Sequence, residues 1–465
     1  MLRLFKQYYP IRNIFFIIGE FLLIYGAVLI ATELIHYPDL CAVDLWLCLK
    51  AFLIAMICQI CLYYNDLYDF TVITSFSELG IRLLQALGAA AIFLAIIYFL
   101  LPEAVIGRGV FALSVCIALF LVIFWRFCYT LALRYGLLDQ KIILLGWSEL
   151  GSSIMREIAA KKDCGYTIGA VVRGKNRELA CKEEIPPLYL VREDYDGFCE
   201  FAKAMGIKKI VVALQERRGS FPMQELLKCR VDGIEIIEGN TFYEMLTGKL
   251  IVSLINPAWL IFSDGFRKSW GHRLFKRTTD LIFSILLLIP CLPIILLVAL
   301  LIKIDSKGPV IFSQERVGEN RKPFMVHKFR SMVADAEKKS GPVWAKTDDD
   351  RVTRVGRIIR KLRIDEIPQL WNVLVGEMSF VGPRPERAFF VKKLEDSIPY
   401  YGERFSVKPG LTGWAQVSYG YGATVEDAIE KLNYELFYIK NMSFFMDMIC
   451  VMKTIKTVLF GKGAR

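Results

Sequence analysis

Asp365 and Glu366 stand side by side in a stretch otherwise rich in cations: Lys328 and Arg330 precede them, Arg351, Arg354, Arg357 and Arg360 recur at every third position, and Arg384 follows between two prolines. Paired carboxylates can bind a metal ion, carry a proton or attack an electrophilic centre, and fixed cations neutralise phosphate. Pro368 is tolerated only near a helix start, so the pair is expected at or just before a helix N-terminus, where free N–H groups favour an anion. Adjacent residues do not share a helix face, so cooperation between the two carboxylates requires a turn or a shared metal; helix capping is their alternative role. In PFMVHKFRSM the alternation predicts a strand with Lys328 and Arg330 on one face, two cations that either invite a phosphate or form a solvated strand face. Pro383 and Pro385 restrict the backbone around Arg384, which can then hold a planar guanidinium against phosphate.

Other chemistries are poorly supplied. His36, His272 and His327 are the only histidines, too few for a zinc site or a His-based triad. The twelve cysteines are scattered, several inside apolar runs, which argues for a reducing compartment and against a disulfide framework. The one CxxC, Cys58 to Cys61, lies mid-span, where small polarizable side chains ordinarily pack.

The elements that must position these residues are largely membrane elements. A chain of 465 residues that is 55% hydrophobic with net charge +11 is too apolar for one soluble domain, and its charge suits anionic lipid and phosphorylated substrates. Apolar stretches around Ile14 to Ala31, Leu45 to Tyr64, Leu83 to Leu101 and Val110 to Ala132 each reach the roughly 20 residues that a spanning helix needs. Glu20 interrupts the first, and no small-residue cleavage site follows it, so it reads as an uncleaved span. Basic residues at both ends of this block place both ends in the cytoplasm. From Gln140 to Ile255, β-branched runs (KIILLG, TIGAVVRG, KKIVVAL, IEIIEG) alternate with helical patterns, predicting a parallel α/β sheet. Its first turn, Gly146 to Gly151, could let a helix N-terminus meet a phosphate, but it lacks the full dinucleotide spacing, and a tight strand-to-helix turn without a ligand is the preferred reading. A fifth apolar run, Leu281 to Ile302, contains Pro290 and Pro293 and is flanked by Arg273, Lys276, Arg277, Lys303 and Lys307. Basic flanks on both sides favour a helix, a break at the prolines, and a return to the same face; an ordinary kinked span is the alternative. RVTRVGRIIRKLR then predicts an amphipathic helix, its arginines on one side and Val355, Ile358, Ile359 and Leu362 on the other, lying in the headgroup layer or facing solvent. No reading helix, finger or aromatic platform accompanies that stripe, so no nucleic acid is expected.

The motifs GPVIFSQERVG, HKFRSM, RIDEIPQLWNVLVGEMSFVGPRPE and KPGLTGWAQV, in that order from about Phe275 onward, resemble the monotopic phosphoglycosyl transferases, or polyprenyl glycosylphosphotransferases. Four preceding spans and a nucleotide-binding-like domain further resemble the large members that start exopolysaccharide or O-antigen assembly. The resemblance implies that Asp365 and Glu366 are the catalytic dyad and hold Mg2+, with Asp365 the residue that becomes phosphorylated. It implies that Lys328, Arg360 and Arg384 lie near the substrate phosphates, Arg330 being added here from its strand position. Pro293 matches the proline of a re-entrant helix; the family often has Ser before it, where this chain has Leu292 and an additional Pro290. Asp447, where the family has an acidic residue, and Gln416 are possible supporting residues.

The architecture expected is a multi-domain membrane protein. It comprises a four-helix transmembrane bundle (1–135), a Rossmann-like cytoplasmic α/β domain (136–262), a basic linker with a re-entrant membrane helix (263–303), and an α/β catalytic domain with interfacial amphipathic helices (304–465). The expected reaction transfers a sugar-1-phosphate from a UDP-sugar to polyprenyl (undecaprenyl) phosphate at the bacterial inner membrane, releasing UMP through a covalent Asp365 intermediate. A homodimer is expected on base rate. The alternatives are a membrane glycosyltransferase releasing UDP and a nucleotide-binding membrane sensor.

Overall fold

The structure is a computed structural model; it describes residues 2–4, 7–36, 45–69, 76–161, 164–173, 190–192, 195–214, 221–255, 265–266, 268–333, 351–420, 422 and 424–460. Two compact units divide between Phe242 and Tyr243.

In the first unit, the four predicted spans are the helices α1 (Ile11–His36), α2 (Leu45–Tyr64), α3 (Phe76–Leu100) and α4 (Arg108–Arg134). With α9 below, five helices among the described residues are long and apolar enough to cross a membrane. Glu20, the charge that interrupts the first span, is fully buried and meets Arg126 of α4 through two hydrogen bonds of 2.7 and 3.0 Å. Arg126 also donates to the Leu67 carbonyl at 2.8 Å. An intramembrane charge is costly unless paired, so this contact fixes which faces of α1 and α4 meet.

After α4 the chain builds a five-stranded parallel sheet: β1 (Gln140–Leu145), β2 (Tyr166–Val172), β3 (Leu190–Arg192), β4 (Lys209–Val212) and β5 (Glu235–Glu238), in the order β3-β2-β1-β4-β5. Helices α5 (Glu149–Ala160), α6 (Phe198–Ala204) and α7 (Met223–Val231) connect the strands. Ile142 to Leu145 are inaccessible on both faces of β1, the pattern of a parallel strand covered on both sides. In the turn after β1, Ser148 caps α5 by accepting from the Gly151 N–H at 3.2 Å and donates to the Ala213 carbonyl at 2.6 Å. A Cβ on Gly146 (φ 96°) would strike Leu214.

The second unit begins earlier than the expected boundary near residue 262. Helix α8 (Gly239–Thr247) follows β5, and Leu250, Val252 and Ile255 lie in one core with Val391, Leu394, Leu436 and Phe437. The Leu250 N–H donates to the Asn433 carbonyl and the Val252 N–H to the Asn433 Oδ1. These backbone groups are satisfied only by the C-terminal domain, so they belong to it.

Helix α9 (Trp270–Asp305) corrects a second expectation: its turns run on through Pro290 and Pro293, where a full break was expected, so the prolines can bend the helix without ending it. Each proline removes a single N–H, that paired with the carbonyl four residues before, and the turns on either side continue. Both ends of α9 are tied to the same domain. Near the start, Asp280 Oδ1 accepts from the Phe380 N–H at 3.0 Å and Ser379 Oγ at 3.1 Å, and Lys276 pairs with Asp447 at 2.7 Å. Near the end, Val298 and Ile302 pack with Phe329 and Ile359, and Asp305 accepts from the Val355 N–H at 3.1 Å. Between the ends, Leu286, Leu292 and Leu296 are exposed.

Strands β6 (Ile311–Val317) and β7 (Pro323–Phe329) form an antiparallel hairpin that sets Lys328 opposite Phe312. Helices α10 (Arg354–Lys361) and α11 (Gln369–Val375) follow, then β8 (Ser379–Val381), paired in parallel with β9 (Gly410–Thr412). Helices α12 (Ala388–Ser397), α13 (Trp414–Ser418), α14 (Val425–Asn441) and α15 (Phe444–Phe460) complete the unit. Helix α10 starts later than the arginine stripe suggests: Thr353 caps it, so Arg351 lies outside. Its apolar residues also divide, Ile359 facing the core while Ile358 and Leu362 are 61% and 47% exposed beside Arg354, Arg357 and Lys361.

Candidate active site

The dyad sits in a tight turn between two helices. Arg363, with φ 57°, bends the chain after α10 into a single 3-10 turn, Ile364–Glu366, and Pro368 caps α11. Ile364 and Ile367 pack toward Phe329 and Ile359, which turns the intervening carboxylates the other way. Asp365 and Glu366 are therefore both removed from bulk water while standing outside a helix, as the position of Pro368 suggested.

The two carboxylates have unequal surroundings. Glu366 Oε1 takes Lys328 Nζ at 3.0 Å, Arg384 Nη2 at 3.2 Å and Arg363 Nη1 at 3.8 Å. Burial alone would weaken its acidity, but Lys328, Arg384 and Arg363 outweigh that and hold it well below the usual glutamate range. Glu366 is thus a permanent anion at neutral pH, a fixed charge more than a proton carrier. Asp365, 9% exposed, makes no hydrogen bond or ion pair through its carboxylate among the described residues. Burial and then the neighbouring Glu366 charge push its pKa up, against the pull of Lys328, Arg360 and Arg363. A carboxylate with poor solvation and no committed partner retains its nucleophilicity.

The structure brings together Asp365, Glu366, Lys328, Arg360 and Arg384. It does not bring Arg330 with them. Arg330 lies past the end of β7, and its guanidinium donates to the Ser306 and Lys307 carbonyls at 2.8 and 3.1 Å, so its charge completes the C-terminal end of α9 and not a phosphate site. Asp447 is likewise engaged elsewhere, accepting from Lys276 at 2.7 Å and Tyr438 at 2.7 Å where α15 meets α9. The Gln416 Oε1 is buried on α13 without a hydrogen bond.

Several residues around the site were not singled out in the sequence. Arg363 continues the every-third-residue arginine series one step past Arg360 and could have been found by extending it. Asn372, fully buried, donates to the Met325 carbonyl at 2.7 Å and accepts from the His327 N–H at 3.2 Å, which fixes β7 beside Lys328. Arg404 and Glu435 form a buried ion pair behind Arg384. The signal for Glu435 was a lone carboxylate inside the apolar run LNYELFYI of an otherwise amphipathic helix.

Magnesium fits the dyad by donor chemistry. Among the described residues, the cations Lys328, Arg384 and Arg363 approach Glu366 at Oε1, and Oε2 and the Asp365 carboxylate are hard oxygen donors of the kind magnesium takes. Among the described residues no third carboxylate, histidine or cysteine joins them, and magnesium is commonly held by one or two carboxylates with the remainder from water and phosphate.

Comparison with known proteins accounts for both halves of the chain. A family model described as bacterial sugar transferase matches residues 271–461, and one described as a CoA-binding domain matches residues 64–237. The chain is 41% identical over 240 residues to the UDP-N-acetylgalactosamine-undecaprenyl-phosphate N-acetylgalactosaminephosphotransferase of Aeromonas hydrophila, covering 52% of this chain and 56% of that protein. It is 44% identical over 194 residues to the undecaprenyl-phosphate glucose phosphotransferase of Komagataeibacter xylinus, covering 41% of this chain and 36% of that protein. Against an exopolysaccharide production protein of Rhizobium leguminosarum bv. phaseoli it is 42% identical over 195 residues, 40% of this chain and 97% of that protein. The chain thus spans about half or less of the length of the first two relatives and nearly the whole of the third. The sugar transferase match contains the dyad and its cations, and the third relative, covered almost whole, shows with both domain matches that this membrane protein belongs to the bacterial sugar transferase family, in its large phosphoglycosyl transferase form.

Proposed function

We propose that the protein transfers a sugar-1-phosphate from a UDP-sugar to undecaprenyl phosphate and releases UMP. The observation that carries this reading is the contrast within the dyad: Glu366 is held ionised by Lys328 and Arg384, while the buried Asp365 carboxylate is uncommitted. Donor and acceptor are both anionic and repel each other, and a covalent relay lets them visit the site in turn. An Asp365 Oδ attacks the β-phosphorus; the bond from that phosphorus to the bridging oxygen breaks, and UMP leaves with the electron pair. An oxygen of the polyprenyl phosphate then attacks the same phosphorus, the acyl-phosphate bond breaks, and the carboxylate is restored. Arg384, Lys328 and Arg360 stabilise charge on the phosphoryl oxygens. Magnesium, when bound by Asp365 and Glu366, supplies charge neutralisation to the pyrophosphate.

Supporting a membrane-surface site, α9 has charged and polar anchors to one domain at both ends and an exposed apolar middle, as expected of a helix that dips into one leaflet and returns. Helix α10 adds exposed Ile358 and Leu362 among cations, a composition suited to headgroups. In this reading the site faces the cytoplasm, where nucleotide sugars are made. The test is nucleotide release by purified protein in detergent with undecaprenyl phosphate, magnesium and a panel of UDP-sugars. UMP release that depends on the sugar and falls by at least about 10³-fold in Asp365→Asn, the scale lost with a covalent nucleophile, is expected. UDP as product, or full activity in Asp365→Asn, would overturn it.

A further inference from the structure

Arg384 reaches Glu366 from a main chain that is gripped on both sides. Its N–H donates to Glu435 Oε1 at 3.3 Å, and its carbonyl accepts from Arg404 Nη2 at 2.7 Å. The same Nη2 donates to Glu435 Oε1 at 2.9 Å, while Arg404 Nη1 donates to the Tyr401 hydroxyl. On either side of Arg384, the Pro383 carbonyl accepts from the Gly410 N–H at 2.8 Å and the Pro385 carbonyl from Arg316 at 3.3 Å. Glu435 and Arg404 are each 5% exposed, so this is an ion pair taken out of water. Such a pair is a poor source of stability, since packed apolar side chains of similar volume commonly serve as well. What an apolar pair could not do is hydrogen-bond both the N–H and the carbonyl of one residue. The planar guanidinium also serves two acceptors from one nitrogen and a third from the other, an arrangement that lysine does not reproduce.

We propose that Glu435 and Arg404 are positioning residues for the reaction proposed above, fixing the Arg384 backbone so that its guanidinium can hold Glu366 and meet a phosphate. This inference rests on that reading of the site. Among the described residues, neither side chain hydrogen-bonds Asp365 or Glu366, so both act through Arg384, and their effect must vanish when the Arg384 side chain is gone.

The experiment is a double-mutant cycle on UMP release by the full chain in detergent, with undecaprenyl phosphate, magnesium and the UDP-sugar that the wild type uses. The proteins are wild type, Glu435→Gln, Arg384→Ala and the double variant, with Arg404→Lys as a second route and thermal unfolding followed for each. Glu435→Gln and Arg404→Lys are expected to lower kcat by about 10- to 100-fold, the scale of a small misplacement at a reacting centre, with KM for the donor changed far less. In the Arg384→Ala background, Glu435→Gln is expected to cost less than about 2-fold, because the coupling partner is absent. Losses that multiply independently in the two backgrounds, or that merely follow a lowered melting temperature, would overturn the clamp while leaving the reaction standing. A wild type that releases no UMP from any UDP-sugar would overturn the reaction and the clamp together.

Discussion

At the scale of single residues the dyad divides its labour by environment, and pH exposes the division. Asp365 must be ionised to attack, and burial with the Glu366 charge places its titration above the ordinary aspartate range of about 3.9. Replacing Glu366 by Gln removes the like charge and frees Lys328 and Arg384 to act on Asp365, and both changes favour its ionised form. The acid limb of the pH profile for residual UMP release is therefore expected to move to lower pH in Glu366→Gln; an unmoved or raised limb would contradict the assignment. Stability follows Glu366 itself. Its folded-state pKa lies below the unfolded one, so its contribution is full above the ordinary glutamate range and is lost progressively as pH falls from there through the lower folded-state pKa. Urea denaturation in detergent at pH 7 and at successive steps below about pH 4 checks this: the difference between wild type and Glu366→Gln should be full at the first and narrow progressively through the others. That Lys328 and Arg384 gather at the dyad was legible in the sequence, because cations spaced around a carboxylate pair stand out from the apolar runs. The commitment of Arg330 to the end of α9 was not, since strand periodicity says which face a side chain leaves from and nothing about what it meets.

At the scale of elements, the site depends on how closely α10 and α11 approach the β6–β7 hairpin. Gly356, in the first turn of α10, lies directly against the Ser331 carbonyl, and a Cβ there would overlap it. Glycine to alanine in a helix ordinarily stabilises by about 1 kcal/mol. Here the clash reverses the sign, and Gly356→Ala is expected to lose about 1–3 kcal/mol, read as a lowered melting temperature. Asn372 plays the matching part on α11. Asn372→Ala removes the hydrogen bonds to the Met325 carbonyl and from the His327 N–H, a loss of about 1–3 kcal/mol for the two that also loosens the strand carrying Lys328. Unchanged melting in both variants would show that the two helices do not depend on these contacts. The elements themselves were readable: the β-branched runs became β1, β2, β4 and β5, and the four apolar runs became α1 to α4. The start of α10 was misjudged because the period-three arginines continue upstream of Thr353, whose side chain ends the helix by capping it.

At the scale of the whole molecule, the sequence told where membrane elements lie but not which domain owns the connecting chain. Tyr243 to Ile255 contains no motif, yet its backbone and apolar side chains complete the C-terminal core, a role set by packing that composition does not record. The fifth apolar helix raises the larger question of topology. A straight helix of 36 residues would be about 54 Å long, well beyond the roughly 30 Å of a bilayer core, so length alone permits a tilted span or a shallow dip. The proposed dip rests on the anchors. Asp280 near one end and Asp305 near the other bond main-chain N–H groups of one folded domain, and a domain cannot stand on both sides of a membrane. Cysteines placed at Trp270 and Lys307, each exposed at an end of α9, should therefore share one side. In intact cells a membrane-impermeant thiol reagent is expected to leave both no more labelled than the parent protein with its twelve native cysteines, and in inverted membrane vesicles to label both. One end labelled in intact cells and the other only in inverted vesicles would make α9 a true span and would place the dyad outside the cytoplasm, away from the nucleotide sugars that the proposed reaction requires.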